Sequence, residues 1–202
     1  MNVFNEITVP FNLEIFNFIN HGLQNSFFDF IFPRITDLAQ ENSIMLFCLL
    51  ILIIGAIFRN KKIIFVSVLA FLTLFIDLYI LNILKAYFAQ ARPFAVLDNV
   101  HLLLDLNKVS SAAYSSFPSG HASNIFGFAT AVGVNIDLKI KGKVFKSGWI
   151  LFPIAILLAI VRVYIGVHWP FDILIGAILG ILTALILTTV FKLVLRKFSI
   201  EF

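Results

Sequence analysis

Long apolar runs are the feature that most constrains this chain of 202 residues. A membrane-spanning helix needs about 20 mostly apolar residues. Five stretches are candidates, at about 43–58, 62–84, 120–136, 147–167 and 171–195. Only 13% of the residues are charged, whereas a soluble domain averages roughly 25%. The runs are continuous rather than alternating, which argues against a β-barrel. The sequence therefore predicts an all-α, polytopic membrane helix bundle.

The first 40 residues are less regular. Residues 11–25 place Phe11, Ile15, Phe18 and Ile19 at helical spacing, with polar residues between them, a pattern typical of a helix lying at the membrane interface. The next stretch, SFFDFIFPRITDLA, is a short or broken membrane segment with Pro33 interrupting it. We expect six transmembrane segments with an irregular first one. We also expect a single membrane-embedded domain over residues 1–202, in which 1–40 form the N-terminal helices and 41–202 the core.

The basic residues between the apolar runs predict the orientation. Ten lie on one side of the membrane: Arg59, Lys61, Lys62, Lys139, Lys141, Lys143, Lys146, Lys192, Arg196 and Lys197. Five lie on the other: Arg34, Lys85, Arg92, Lys108 and Arg162. The richer side is expected to be cytoplasmic, in a multi-pass protein of the cell membrane. Residues 94–117 then form an outside loop, within which VLDNVHLLLDL is a candidate short interfacial helix. Nothing in the sequence indicates nucleic-acid binding.

Two polar motifs interrupt the apolar pattern. In KAYFAQARP, Lys85 and Arg92 are seven residues apart, which returns to nearly the same face of a continuous helix. Pro93 disfavours helix at the preceding residue, however. In PSGH, Ser119 is a suitable N-cap, Gly120 permits close approach to the backbone, and His121 would face an anion at the helix start. Taken alone, the second motif also fits a capped helix with an incidental histidine.

The third motif is VRVYIGVHWPFD. His168 and Asp172 are four residues apart and so share a helix face. A carboxylate behind an imidazole fixes its tautomer and leaves the other nitrogen free to attack. Arg162 precedes them, near the outer end of the preceding segment. A His–Asp pair can also be a buried structural hydrogen bond, so this motif alone leaves both readings open.

The three motifs together are more specific, because the charge distribution puts all of them at the outer ends of segments. Three cations, a helix start and two histidines describe a phosphoryl-transfer site that needs no metal. No carboxylate cluster indicates an obligate metal, and no cofactor is implied.

The order K-x6-RP, PSGH, R-x5-H-x3-D resembles the type 2 phosphatidic acid phosphatase and haloperoxidase superfamily, with ten fixed positions in agreement. The match is with its membrane lipid phosphatase branch, including small bacterial undecaprenyl-diphosphate phosphatases. One position departs: Val161 stands where the family usually has serine before the arginine. The resemblance implies a phosphohistidine mechanism in which His168 attacks phosphorus, Asp172 orients it and His121 protonates the leaving oxygen. It also implies that five residues hold the phosphoryl oxygens: Lys85, Arg92, Ser119, Gly120 and Arg162.

The first choice of substrate is a polyprenyl (undecaprenyl) diphosphate at the extracytoplasmic face. Phosphatidylglycerol phosphate, phosphatidic acid and lipid A phosphates are alternatives, because the motifs read phosphate and not the lipid tail. A membrane transporter is the alternative from a different class. Asp77, inside the third segment, is the kind of residue a transporter uses, although Asn82 or Tyr79 is a candidate structural partner. The oligomeric state is not indicated by the sequence.

Overall fold

The computed structural model describes residues 3–140 and 142–197, and the described chain is mostly helical. Nine α-helices lie within these residues: α1 (Val3–Asn20), α2 (Ser26–Ile35), α3 (Glu41–Ile57), α4 (Lys61–Phe88), α5 (Pro93–Val96), α6 (Leu106–Val109), α7 (Gly120–Gly133), α8 (Gly148–Tyr164) and α9 (Pro170–Lys197). Short 3₁₀ turns follow α2 at Thr36–Ala39 and α6 at Ser110–Ala112. Of the predicted domain, residues 1–2, Lys141 and 198–202 lie outside the described residues.

A small antiparallel hairpin departs from the all-α prediction. Strands β1 (Asp137–Ile140) and β2 (Lys143–Lys146) pair so that Asp137 lies opposite Lys146. The hairpin lies in the charged link between two apolar runs, where a left-handed Gly142 (φ +77°) provides the turn. The described residues outside the hairpin contain helices and irregular segments but no further strand.

All five apolar runs form helices, but their lengths differ. Two helical stretches, residues 61–96 and α9, are long and apolar enough to cross a membrane. A third crossing is possible if α2, its 3₁₀ turn and α3 act as one span bent by 61°. The 14 residues of α7 extend only about 20 Å, less than the roughly 30 Å apolar core of a bilayer. Six membrane crossings therefore remain a prediction.

The break in the first segment is not at the predicted residue. α2 continues two residues past Pro33 to Ile35, and the sharp change of direction comes after the 3₁₀ turn, between Ala39 and Glu41. Pro33 lies near the end of the helix, where the chain already tightens into 3₁₀ geometry. The bend therefore separates the first predicted segment from α3, and the expected break at Pro33 is wrong.

Helix α7 is the buried centre of the bundle. Its residues from Ala122 to Gly133 are all buried, against α3, α4, α8 and α9. Two glycines bring α9 into backbone contact with it: a Cβ at Gly176 would lie 2.4 Å from the Ser119 carbonyl oxygen, and one at Gly180 would lie 2.2 Å from that of Ser123. No side chain fits at either position, so the starts of α7 and α9 are held together.

Asp77 is fully buried on α4 at this same helix junction. Its Oδ2 accepts a hydrogen bond from Ser123 Oγ at 3.0 Å, and its carboxylate also bonds with Thr183. The structure therefore gives Asp77 partners on α7 and α9, whereas Asn82 and Tyr79 were the expected ones. This bonding makes Asp77 a link between three helices.

The expected interfacial helix in the outside loop is absent, because residues 97–105 are extended or bent. Their backbone groups bond to other elements instead: the His101 amide donates to Asn20 Oδ1 at 3.0 Å, and the Leu103 amide donates to the Ile165 carbonyl. Leucines 102–104 pack against the buried cluster of Phe32, Val161 and Tyr164. Tertiary contacts thus replace the bonds that a local helix would have made.

Candidate active site

The three polar motifs meet at one end of the bundle, where α4 and α8 end and α7 and α9 begin. Lys85 is in the last turn of α4 and Arg162 in the last turn of α8. Ser119 precedes α7, and Asp172 lies in the first turn of α9. The ends of four helices therefore supply these residues. The charge distribution in the sequence predicted that all three motifs lie at segment ends.

His168 is held between a carboxylate and a guanidinium. Its Nδ1 lies 3.2 Å from Asp172 Oδ2, and its Nε2 lies 3.3 Å from Arg92 Nη1. Arginine only donates hydrogen bonds, so Nε2 accepts and Nδ1 carries the proton toward Asp172. The imidazole therefore directs its lone pair at the cations and away from Asp172.

Burial keeps this imidazole neutral. His168 is only 1% exposed. Burial lowers the pKa of His168 well below its usual 6.5, and the nearby positive charges of Arg92, Arg162 and Lys85 lower it further. A neutral imidazole with an unprotonated Nε2 is the form required of a nucleophile.

Asp172 connects the second and third motifs. Its Oδ2 also accepts hydrogen bonds from Ser116 Oγ and from the Trp169 amide, the latter at 2.9 Å. Its backbone carbonyl accepts from the Ser119 amide at 3.0 Å. Ser116 was missed by the sequence reasoning, since a serine in a polar loop has no spacing that distinguishes it. Asp172 therefore fixes both the His168 ring and the start of α7.

Lys85 and Arg92 come together, although not on one helix face. α4 ends at Phe88, followed by Ala89 in the left-handed region, and Arg92 precedes α5 in extended backbone. Both side chains instead donate to the Ser115 carbonyl, Lys85 Nζ at 2.7 Å and Arg92 Nη2 at 3.4 Å. Arg92 Nη1 additionally donates to the Val167 carbonyl at 2.9 Å, next to His168.

Arg162 is the most enclosed cation. Its Nη1 donates to Thr36 Oγ1 at 2.8 Å, while its buried Nε has no hydrogen-bond partner among the described residues. Its backbone carbonyl accepts from the amides of Val167 and His168, both at 3.2 Å. The preceding Val161 is fully buried in the apolar cluster with Phe32 and Tyr164. Val161 therefore contributes apolar packing at the position where the family usually has a serine hydroxyl.

The start of α7 has room beside it. Ser119 Oγ accepts from the Ala122 amide at 3.4 Å, which confirms the predicted N-cap. A Cβ at Gly120 would meet only Leu81 Cδ1, at 3.8 Å. His121 has no hydrogen bond to any described residue, and the charges of Arg162, Arg92 and Lys85 act on it as they act on His168. The two histidines thus share one electrostatic environment.

Helix α1 supports the His168 loop, a role that its interfacial pattern did not reveal. Asn20 Nδ2 donates to the Tyr164 carbonyl at 2.7 Å, and Asn12 Oδ1 accepts from the Phe171 amide at 2.9 Å. Between them, Phe16 packs on Trp169 with 5.4 Å between ring centroids. On the opposite face Phe11 and Phe18 remain exposed. The helix therefore contacts both sides of the loop while presenting apolar residues outward.

No group of three or more His, Cys, Asp or Glu side chains in the described part of the chain is placed to hold a metal ion. The polar groups gathered at this end are the two histidines, Asp172, the serines and the three cations. This set can bind a phosphoryl group and offer it a nucleophile.

Comparisons with known proteins agree with this chemistry. The PAP2 superfamily model matches residues 66–196, and the chain belongs to this family. It is similar to the bacitracin transport permease protein BcrC of Bacillus licheniformis, at 30% identity over 175 residues, covering 86% of this chain and 77% of the relative. It is also similar to the undecaprenyl-diphosphatase BcrC of Bacillus subtilis strain 168, at 31% identity over 176 residues, covering 85% and 79%. Among solved structures, Aquifex aeolicus LpxE superposes with a TM-score of 0.71 at 31% identity, covering 89% of this chain and 95% of that one. The chain is accordingly a member of the membrane lipid phosphatase branch.

Proposed function

We propose that the protein hydrolyses a polyprenyl diphosphate, undecaprenyl diphosphate in particular, to the monophosphate through a phosphohistidine at His168. One observation carries this proposal: His168 is buried with Nδ1 against Asp172 and Nε2 facing Arg92. The residues described act as one membrane-embedded phosphatase domain.

In the first step, His168 Nε2 attacks the terminal phosphorus, and the bond from phosphorus to the bridging oxygen breaks. His168 Nδ1–H donates a hydrogen bond to Asp172, which stabilises the positive charge that develops on the ring. The phosphoryl oxygens are held by the three cations Lys85, Arg92 and Arg162, which offset their negative charge. Ser119 and the Gly120 amide donate hydrogen bonds to the same oxygens as charge redistributes. These donors are already in place before the substrate arrives, which lowers the reorganisation needed.

His121 is proposed to move the proton. When the diphosphate is bound, its negative charges offset those of the three cations, so that His121 can carry a proton. His121 donates this proton to the bridging oxygen as the lipid monophosphate departs, which leaves His121 neutral. In the second step it takes a proton from water, whose oxygen attacks phosphorus while the bond from phosphorus to His168 Nε2 breaks. Inorganic phosphate leaves, and both imidazoles return to their starting forms. His121 is suited to this role because no hydrogen bond to another described residue occupies its ring.

The substrate assignment depends on location and on relatives. The bundle surface carries many exposed large apolar side chains, so a lipid tail can stay in the bilayer while its phosphates enter the cationic site. Undecaprenyl diphosphate is the first choice because the Bacillus subtilis relative is an undecaprenyl-diphosphatase. Phosphatidylglycerol phosphate, phosphatidic acid and lipid A phosphates are the competing substrates.

The location also follows from charge. We propose that the site opens on the extracytoplasmic face of the cell membrane, because the other end of the bundle carries most of the lysines and arginines. A cysteine-accessibility assay with a membrane-impermeant reagent tests this orientation. Ser111, exposed on the loop near the site, replaced by cysteine should be labelled in intact cells. Lys143→Cys at the opposite end should not.

The function is tested by phosphate release from a panel of lipid phosphates and diphosphates, using purified protein in detergent. His168→Ala should abolish turnover of every substrate, whereas His21→Ala removes an exposed histidine at the same end and should leave turnover unchanged. Activity that survives in His168→Ala would contradict the assignment. EDTA should have little effect, and inhibition reversed by added metal would show that the site requires one.

Two further readouts separate the mechanism from its alternatives. Labelled substrate should leave alkali-stable, acid-labile label on the wild-type protein but none on His168→Ala, as expected for a phosphohistidine. A transporter would bind lipid phosphates without releasing phosphate. Phosphate release in detergent, where no compartments exist, therefore separates hydrolysis from transport.

A further inference from the structure

Two adjoining cavities lie at the end of the bundle away from the candidate active site. The first, of about 290 Å³, is lined by Lys62, Lys146 and Lys192 together with Asn135. The second, of about 550 Å³, is lined by Trp149, Phe152 and Ile156 among others. Both include Val134 and Lys146 in their walls. Since α7 runs from Gly120 to Gly133, they lie about 20 Å from the catalytic histidines.

The first cavity is cationic. Three lysines from α4, β2 and α9 surround it. Asp137 pairs with two of them, at 3.4 Å from Lys62 and 2.8 Å from Lys146. Lys192 has no ion-pair partner among the described residues. Three lysines and one carboxylate leave two net positive charges facing this cavity.

The second cavity is an apolar groove on the bundle surface. Its walls are the end of α7 and the first three turns of α8, which approach closely because Gly133 and Gly148 are in contact. Trp149 stands at its edge with 77% of its surface exposed. An exposed tryptophan beside lysines is typical of the level where lipid headgroups meet acyl chains. The cationic pocket thus continues into an apolar groove along α8.

We propose that these two cavities form a binding site for an anionic phospholipid of the membrane leaflet opposite the active site. The phosphate of the headgroup lies among Lys62, Lys146 and Lys192, and one acyl chain follows the groove past Trp149. Charge complementarity selects an anionic headgroup, and the shared wall at Lys146 joins headgroup and chain sites. Basic pockets between membrane helices recognise such headgroups. The site plays no part in phosphate-ester hydrolysis, so it stands or fails separately from the proposed function.

Trp149 provides the assay, because the chain has two tryptophans and the other, Trp169, can be replaced by phenylalanine. The Trp169→Phe protein is reconstituted in phosphatidylcholine vesicles containing a small, equal fraction of dibrominated phosphatidylglycerol or dibrominated phosphatidylcholine. Quenching of Trp149 should be saturable and stronger for the anionic lipid, and unbrominated phosphatidylglycerol should reverse it. Native mass spectrometry of the unsubstituted protein, counting retained phosphatidylglycerol, provides a second measurement that needs no substitution.

Matched lysines localise the effect. Lys192→Gln should weaken the preference for phosphatidylglycerol about fivefold, the contribution of one basic residue near an anionic surface. Lys197→Gln removes the same charge from the same helix end outside the cavity and should leave the preference unchanged. Equal effects of the two substitutions would show diffuse surface attraction and overturn the site. Equal quenching by both brominated lipids would show that the groove does not select anionic lipids, which would overturn the proposal. Reversal by inorganic phosphate alone would make it a soluble-anion site, which also overturns the proposal.

Discussion

Replacing Gly120 by alanine separates a structural from a functional reason for the glycine at the start of α7. The new Cβ would meet only Leu81 Cδ1, at 3.8 Å, an ordinary van der Waals contact, and the Gly120 backbone is not left-handed. Nothing in the fold therefore requires glycine here. A compatible Gly→Ala change stabilises by about 0.4–1 kcal/mol, chiefly by restricting the unfolded chain. For a protein of this size that corresponds to a rise in Tm of about 1–4 °C.

The phosphatase activity of Gly120→Ala should fall although its stability rises. If a phosphoryl oxygen approaches the Gly120 amide, the added methyl group occupies space that the substrate needs. Loss of one donor to developing charge costs roughly 10²–10³ in kcat, so we expect a fall of about 10²-fold with unchanged or raised Tm. The assay is phosphate release from a lipid diphosphate, with Tm measured on the same preparation in detergent.

Gly176→Ala is the matched control. Its Cβ would lie 2.4 Å from the Ser119 carbonyl oxygen, which forces α9 away from α7. Overpacking of this kind costs about 1–3 kcal/mol, so that variant should lose stability and activity together. Full activity in Gly120→Ala would refute the reasoning, because it would show that no ligand uses the space beside this helix start.

Two further predictions concern the support and the protonation of His168. Asn20→Ala should lower kcat by about tenfold or more with little change in KM, because misplacement of a catalytic group by about 1 Å costs up to about 10²-fold. Asn17→Ala, at an exposed position of the same helix end, should leave kcat unchanged, and equal kcat values for the two variants would contradict a positioning role for α1. The pH dependence of stability should also change with His168. Its folded pKa is depressed, so below about pH 6.5 the unfolded state binds a proton that the folded state does not, and stability falls as pH decreases by up to about 1.4 kcal/mol per pH unit. His168→Asn should flatten the fall in Tm between pH 7.5 and about 5.5, and an unchanged slope would count against a neutral, buried imidazole.

Local features of the sequence were enough to predict the parts of the site that depend on one helix. Ser119 caps α7 because a hydroxyl before a helix start meets free amides. His168 contacts Asp172 because the two are four residues apart across the beginning of α9. Apolar runs likewise predicted helices α3, α4, α7, α8 and α9, since burial in lipid needs only length and apolar composition. These inferences need no knowledge of which helices are neighbours.

Contacts between distant segments could not be predicted in the same way. Ser116, Thr36 and Asn20 are polar residues without periodicity, and each acquires its role only through a partner more than 50 residues away. The spacing of Lys85 and Arg92 fits one helix face, but Pro93 left the geometry at Arg92 open, and the two side chains meet at a loop carbonyl after the helix has ended. The helix wrongly predicted within residues 96–106 has the same origin, because backbone groups of this segment bond to distant partners instead.

The clustered charges of the site destabilise the fold in a way that substrate binding should relieve. Lys85, Arg92 and Arg162 bond to neutral oxygens of Ser115, Val167 and Thr36, and Asp172 directs its bonded oxygen toward His168 and Ser116. The three clustered cations repel one another, although the charges of Asp172, Asp37 and Glu41 act on them in the opposite sense. Arg162 additionally has a buried N–H without a hydrogen-bond partner among the described residues. A buried, incompletely paired charge destabilises the fold that holds it.

This cost predicts opposite effects of one substitution on the free and the bound protein. Inorganic phosphate at about 100 times its Kd should stabilise the wild type by about 2.7 kcal/mol, equivalent to a rise in Tm of about 5–10 °C. Arg162→Met keeps most of the side-chain volume but removes the charge, so it should raise the Tm of the phosphate-free protein and abolish the phosphate-induced shift. Arg196→Met, at the far end of α9, should leave the shift intact. A variant at 162 that lowers the phosphate-free Tm and still responds to phosphate would show that this arginine serves the fold and not the anion.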